Sequence, residues 1–218
     1  MAVTLPPRDI PTGKMLLHWS PRSPYVRKVM IAAHEMGLAE QLHCVRTVVG
    51  GTTPHRELMQ ENPLGKIPTL VLGDGTVLYD SPVVCAYLDT LHAGPKLFST
   101  GADRFTVLRR LALGDGMADM VLALLSERSR PAERQSPPHM DLWRGKLNAC
   151  IPALEQEADA LAANAFSIGH IAIGVALAHI DFRVTELDWR TGHPKLTAWH
   201  AAFNARASVL ANPLVDDR

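Results

Sequence analysis

Hydrophobic and polar positions follow one pattern in the first part of this chain and another in the rest. Met15–Trp19 is a short apolar run and predicts a first strand. Val26, Val29, Met30 and Ala33 then recur at helical spacing; Ser23-Pro24 opens that helix and Gly37 closes it. Arg27, Lys28 and Glu35 are assigned to its wet side. Gln41–Val49 alternates as a second strand, with Leu42, Cys44 and Thr47 inward, and a short helix is expected over Pro54–Met59. IPTLVL, the Asp74-Gly75 turn and TVLY read as a hairpin. Ser81, as N-cap before Pro82, starts a helix to Leu91 with Val84, Tyr87, Leu88 and Leu91 at core spacing. A right-handed crossover makes the first two strands parallel, and the order completes a small α/β domain.

Beyond His92–Thr100, a Gly-, Pro- and Ser-containing linker, the two-residue period disappears. Asp103–Arg128 predicts a long helix with Leu108, Leu111, Ala112, Asp115, Ala118 and Leu122 near one face. The proline-rich residues 129–138 predict a loop. Met140–Ala163 predicts a second helix with the stripe Leu147, Ile151, Leu154, Ala158 and Leu161, and with Pro152 as a kink site. Ser167–Thr185 is apolar nearly all round, as a central buried helix is. Lys195–Ala207 is amphipathic through Leu196, Trp199 and Phe203, and Trp143, Trp189 and Trp199 read as packing or interface residues.

Composition narrows the function. The 218 residues carry 22 basic and 22 acidic side chains. That balance argues against nucleic acid or an anionic membrane as the main partner. Residues 1–14 are polar and proline-rich, without the apolar core of a secretory leader, and are expected to be poorly ordered. No run is apolar enough to span a bilayer. Cys44, Cys85 and Cys150 are isolated and the histidines dispersed, so no metal site is expected, and a reducing cytoplasm is the expected location.

The chemistry concentrates in ENPLGKIPTLVLGDGTVLYDS and SPRSPYVRKV. Pro68 stands where a strand begins, a place that tolerates a missing N–H, and an ordered proline there is either a trans edge residue or a cis turn. Ser81 and the helix start beside it can bind a carboxylate, or Ser81 is simply a cap.

These segments, with FSIGHIAIGVALAHIDFR and HPKLTAWHAAFNAR, resemble the cytosolic glutathione transferases from Met15 to Arg206, and among them the bacterial serine-type members. The resemblance implies a thioredoxin-like α/β domain over 15–92, a linker over 93–100 and an all-α domain over 101–211 that lines the electrophile site. It implies a cis Ile67–Pro68 bond, with the Ile67 backbone pairing with the cysteinyl part of glutathione. Asp80 and Ser81 would hold the γ-glutamyl end, and Lys66 the glycyl carboxylate. Ser23 or Ser20 would donate to the sulfur. Arg22, Tyr25, Asp115, Met117, Asp119 and Met120 would flank the second substrate. Glutathione is then the co-substrate, with no metal, and a homodimer is expected. Serine at both positions disfavours mixed-disulfide chemistry. The main activity would be conjugation of small hydrophobic electrophiles, with peroxidase activity also open. The alternatives are a maleylacetoacetate-type isomerase and a non-catalytic binding protein.

One position departs from the family pattern. The buried helix usually starts Ser/Thr-x-x-Asp, but here Ser167 is followed by His170. A neutral imidazole carries no charge for the helix start, which predicts a weaker cap. On that reading, His170→Asp raises stability by up to about 1 kcal/mol.

Overall fold

The structure, a computed structural model, describes residues 10–217, so the first nine residues of the expected N-terminal extension lie outside it. The chain forms two compact units. The first runs to Lys96 and takes in the tail from Val215; the second spans Leu97–Leu214.

The first unit contains β1 (Met15–Trp19), α1 (Pro24–Glu35), a 3-10 turn (Ala39–Gln41), β2 (Leu42–Arg46), α2 (Arg56–Met59), β3 (Thr69–Val71), β4 (Val77–Leu78) and α3 (Ser81–Thr90). The sheet order is β2-β1-β3-β4. β1 and β2 are parallel; β3 runs antiparallel to β1 and to β4. The hairpin closes as expected: Asp74 Oδ1 accepts the Thr76 N–H at 2.8 Å, and Gly75 takes φ +84°, which favours glycine. Val26, Val29, Ile31 and Ala32 of α1 are fully buried, as are Val84, Cys85 and Leu88 of α3. The two helices pack on each other.

Four local expectations are corrected here. Arg27 and Lys28 are buried, 8% and 1% exposed, because long basic stems can lie along apolar surface. Burial lowers Arg27 to about 10, which leaves it charged at neutral pH. Cys44 is exposed, since β2 is an edge strand that ends at Arg46. Leu91 is exposed, and Cys85 takes the core position instead. Ser81 is the first residue of α3 rather than its cap; Asp80 occupies the cap position with extended backbone.

The second unit is helical: α4 (Arg104–Arg128), a 3-10 turn (Ala132–Arg134), α5 (Pro137–Ala163), α6 (Ile168–Arg183), α7 (Pro194–Asn204) and α8 (Ala207–Leu210). The stripe expected on α5 is the one that is buried, and α6 is buried without a break from Ile168 to Ile180. On α4 the buried face is Val107, Leu111, Gly114, Met117, Ala118, Val121 and Leu124; Leu122 and Ala112 face outward. The reason is Gly114, whose missing side chain marks the contact with α6. A Cβ there would sit 2.4 Å from the backbone carbon of Ala172. An apolar tally does not weight a glycine as a contact residue, so the expected face was rotated.

The α6 start corrects the weaker-cap expectation. Ser167 and His170 form a complete capping box: the Ser167 hydroxyl accepts the His170 backbone N–H, and His170 Nδ1 accepts the Ser167 N–H at 3.1 Å. These partners assign the proton to Nε2, which donates to the Leu161 carbonyl at 3.0 Å. Leu161 lies in the last turn of α5, where carbonyls lack intrahelical partners. One imidazole therefore satisfies the start of one helix and the end of another. Burial is the largest of the influences that lower its pKa, with Arg110 and Arg206 acting the same way and the Leu161 bond opposing.

Candidate functional site

Strand directions decide which loops meet. β1 and β2 end on the side of the sheet where β3 begins, because β3 is antiparallel to β1. β4 is antiparallel to β3 and so ends there too. His18 pairs with Thr69, so continuing the register carries Pro68 and Ile67 to the level of Trp19 and Ser20. Leu78 pairs with Leu70, which brings the Asp80-Ser81 corner to the same rim. Helices α1 and α3 both start on this rim, and their first N–H groups have no intrahelical partner.

Ser23 is the N-cap of α1; its hydroxyl oxygen accepts the Val26 N–H at 3.3 Å, and the hydroxyl proton is left for another acceptor. Ser23 is half-buried, whereas Ser20 is 5% exposed and its oxygen accepts the Arg22 N–H at 3.4 Å. Ile67–Pro68 is a cis peptide, and so is Tyr79–Asp80. Among the described residues, none hydrogen-bonds the backbone N–H or C=O of Ile67. Lys66 and Asp80 are exposed, and Ser81 is 1% exposed. Arg22 and Tyr25 are half-buried beside the two serines in sequence, with the Lys28 ammonium 5.9 Å from the centre of the Tyr25 ring.

Asp115, Met117, Asp119 and Met120 lie on α4 in the second unit. Asp119 is exposed, and Asp115 and Met120 are half-buried. Met117 is fully buried in the core formed by α4, α5 and α6, which leaves it no surface for a substrate. Its expected substrate-lining place is corrected on that ground.

The residues that order the rim were missed in the sequence. Asn62, 1% exposed, donates through Nδ2 to the Lys66 carbonyl and the Thr69 hydroxyl, and its Oδ1 accepts the Leu64 N–H at 3.0 Å. It folds the loop that presents Ile67. Its one sequence signal is the Asn-Pro dipeptide, a common turn starter. Under the same rim His18 bonds Thr47 through Nδ1 at 2.8 Å and Glu61 through Nε2 at 2.7 Å, with all three side chains buried. The Thr47 N–H bonds the Trp19 carbonyl, so this cluster fixes the end of β1 just ahead of Ser20. A histidine inside the apolar strand MLLHW was its only mark.

Two family models match the chain: the glutathione S-transferase N-terminal domain over residues 22–91 and the glutathione S-transferase C-terminal domain over 137–202. A crystal structure of a glutathione transferase family member from Pseudomonas fluorescens Pf-5, with bound glutathione, is 37% identical. The alignment covers 93% of this chain and 100% of that one, with a TM-score of 0.90. The chain belongs to the glutathione transferase family. A second structure from Pf-5, a family member with bound S-(propanoic acid)-glutathione, is also 37% identical, over 93% of this chain and 100% of that one, at a TM-score of 0.85. The uncharacterized GST-like protein YibF of Escherichia coli K12 is 29% identical over 188 residues, 84% of this chain and 90% of its own. The mixed four-stranded sheet and all-helical second unit are those of a glutathione transferase.

Proposed function

We propose that this transferase binds glutathione on the sheet rim and stabilises its thiolate for attack on small electrophiles. The observation that carries the reading is the Ile67 backbone, unpaired among the described residues, at the rim where α1 and α3 begin. A γ-linked tripeptide is best held by backbone groups, which are indifferent to side-chain pairing. Its carboxylates suit helix starts, and its ammonium suits the exposed Asp80. Ser81 then takes the γ-glutamyl carboxylate, and Lys66 the glycyl carboxylate. Bound glutathione and a glutathione conjugate in the two Pf-5 structures, both of one relative, support the same ligand.

Ser23 is the hydroxyl assigned to the sulfur, because it is less buried than Ser20 and its proton is not needed for the cap. A free thiol ionises near pH 8.5, so roughly a few per cent is thiolate at pH 7. Lowering that value by about two units takes roughly 2.7 kcal/mol. A hydroxyl donating to a charged acceptor contributes about 1.5–3 kcal/mol and a helix start about 0.3–1 kcal/mol, which is enough. The thiol proton leaves to solvent, the sulfur forms the new C–S bond, and the leaving group departs with its electron pair. The same thiolate also serves a hydroperoxide or an isomerisable dienoate, and a panel of chloronitroarene, hydroperoxide and maleylacetone separates these activities. The protein is expected to act in the cytoplasm as a homodimer; a monomer at micromolar concentration by light scattering would remove the dimer.

The test is calorimetry with glutathione, then titration of the bound thiolate by its ultraviolet absorbance. Ser23→Ala should raise the bound thiol pKa by about 1–2 units, and Ser20→Ala should move it less. The reverse order moves the assignment to Ser20. No binding at millimolar glutathione sinks the reading.

A further inference from the structure

The turn between β1 and α1 carries an arginine whose present partner comes from the far end of the chain. Arg22 lies between Ser20 and Ser23, and its Nε stands 3.2 Å from Oδ1 of Asp216. Arg46, at the end of β2, donates through Nε to Asp217, the residue after Asp216, at 2.5 Å. Residues 216 and 217 thus seat two carboxylates on two arginines of the first unit.

The Arg22 contact is incomplete. Its Nε is buried yet makes no hydrogen bond, so Asp216 offers charge at ion-pair distance without the hydrogen bond. A buried guanidinium donor left unbonded is costly, and a carboxylate placed across the planar fork satisfies it well. Both side chains of the pair are about one-third exposed, 30% and 33%, and ion pairs of that exposure hold weakly. A carboxylate delivered to this turn by a bound ligand competes with the tail on similar terms, since both are tethered.

We propose that Arg22 is a carboxylate subsite, held in this structure by the chain's own Asp216. It selects electrophiles that carry a carboxylate close to the reacting carbon. This rests on the proposed glutathione site, because Arg22 adjoins both candidate serines and an acid group there lies near the sulfur. The acidic tail is then an internal competitor that an acidic substrate displaces.

Two glutathione conjugates test it by calorimetry: that of acrylate, which carries a carboxylate, and that of acrylamide, its neutral counterpart. The wild-type chain should bind the acrylate conjugate more tightly. In the Asp216→Asn/Asp217→Asn double variant that preference should grow by about three- to tenfold as the competitor is lost. In Arg22→Gln it should vanish. Glutathione binding with the same preference in all three chains overturns the subsite alone. Failure of the wild-type chain to bind glutathione or either conjugate overturns the functional reading and the subsite with it.

Discussion

Replacing His170 with aspartate, the residue the family pattern favours, should destabilise this protein. The carboxylate would still accept the Ser167 N–H, and its charge at the start of α6 contributes about 0.3–1 kcal/mol. Arg110 and Arg206 lie near enough to lower the histidine's pKa and would attract it. Arg110, however, already pairs with Glu157 at 3.1 Å, and the Arg206 guanidinium lies 3.6 Å from the Phe166 ring centre. The loss is larger. Aspartate has no donor for the Leu161 carbonyl, and an unpaired buried acceptor costs about 1–3 kcal/mol. The shorter side chain also gives up ring contacts with Phe166 and Trp199, whose centroids lie 5.5 and 6.3 Å from the imidazole's. The balance is a loss of about 1–2 kcal/mol.

Urea unfolding at a pH near 7.5 measures it, as a fall in midpoint at unchanged slope. His170→Gln is the control: its amide can accept from Ser167 and donate to Leu161, so it should lose less than aspartate does. If His170→Asp proves as stable as the wild type or more so, the bond to Leu161 contributes nothing and the double-ended role of His170 is wrong.

Stability should also fall as pH drops below about 6.5, the ordinary histidine value. The folded-state pKa of His170 is lowered, so between that value and 6.5 the unfolded chain binds more protons and stability rises with pH. The difference between wild type and His170→Gln should isolate this dependence; parallel pH profiles would refute it. Gly114→Ala should cost about 1–3 kcal/mol in the same assay, because a Cβ 2.4 Å from the Ala172 backbone forces α4 and α6 apart. An unchanged midpoint would mean the helices do not cross so closely. Asn62→Ala removes the bonds to Lys66, Thr69 and Leu64 and should weaken glutathione binding by about tenfold. Unaltered affinity by calorimetry would show that Ile67 is positioned without it.

Element types and order were legible because the periods were strong. The α5 stripe was read residue for residue, and the unbroken apolar run of α6 announced a buried helix. Several misreadings concern residues whose type does not show where the fold places them. Gly114 contributes by having no side chain, and only Ala172 shows why. Lys28 looked solvated by type and is 1% exposed. The Ser-Pro pair reads the same at 23 and 81, yet Ser23 is a cap and Ser81 is not. At the rim, Ser23, Pro68 and Ser81 stood out as turn signals, whereas Asn62 and the His18–Thr47–Glu61 cluster act on other loops and left almost no local mark.

The direction of β3 is what allows three separate loops to form one rim. A third strand parallel to β1 would begin at the opposite end of the sheet, with Pro68 a full strand length away from Ser20. The antiparallel pairing of His18 with Thr69 puts them side by side. The hairpin then reverses the chain once more, so β4 ends where β1 ends and α3 must start on the same side as α1. Each helix start contributes a positive end, and the two would not share one rim if one strand were reversed. On the proposed reading, a peptide thiol with two carboxylates would meet both helix starts together with a backbone edge that no described residue pairs. That convergence follows from the order and directions of the strands, before any side chain is chosen. Side chains then decide what is done there: on the proposed reading, a hydroxyl at Ser23 leaves the sulfur of glutathione as the nucleophile.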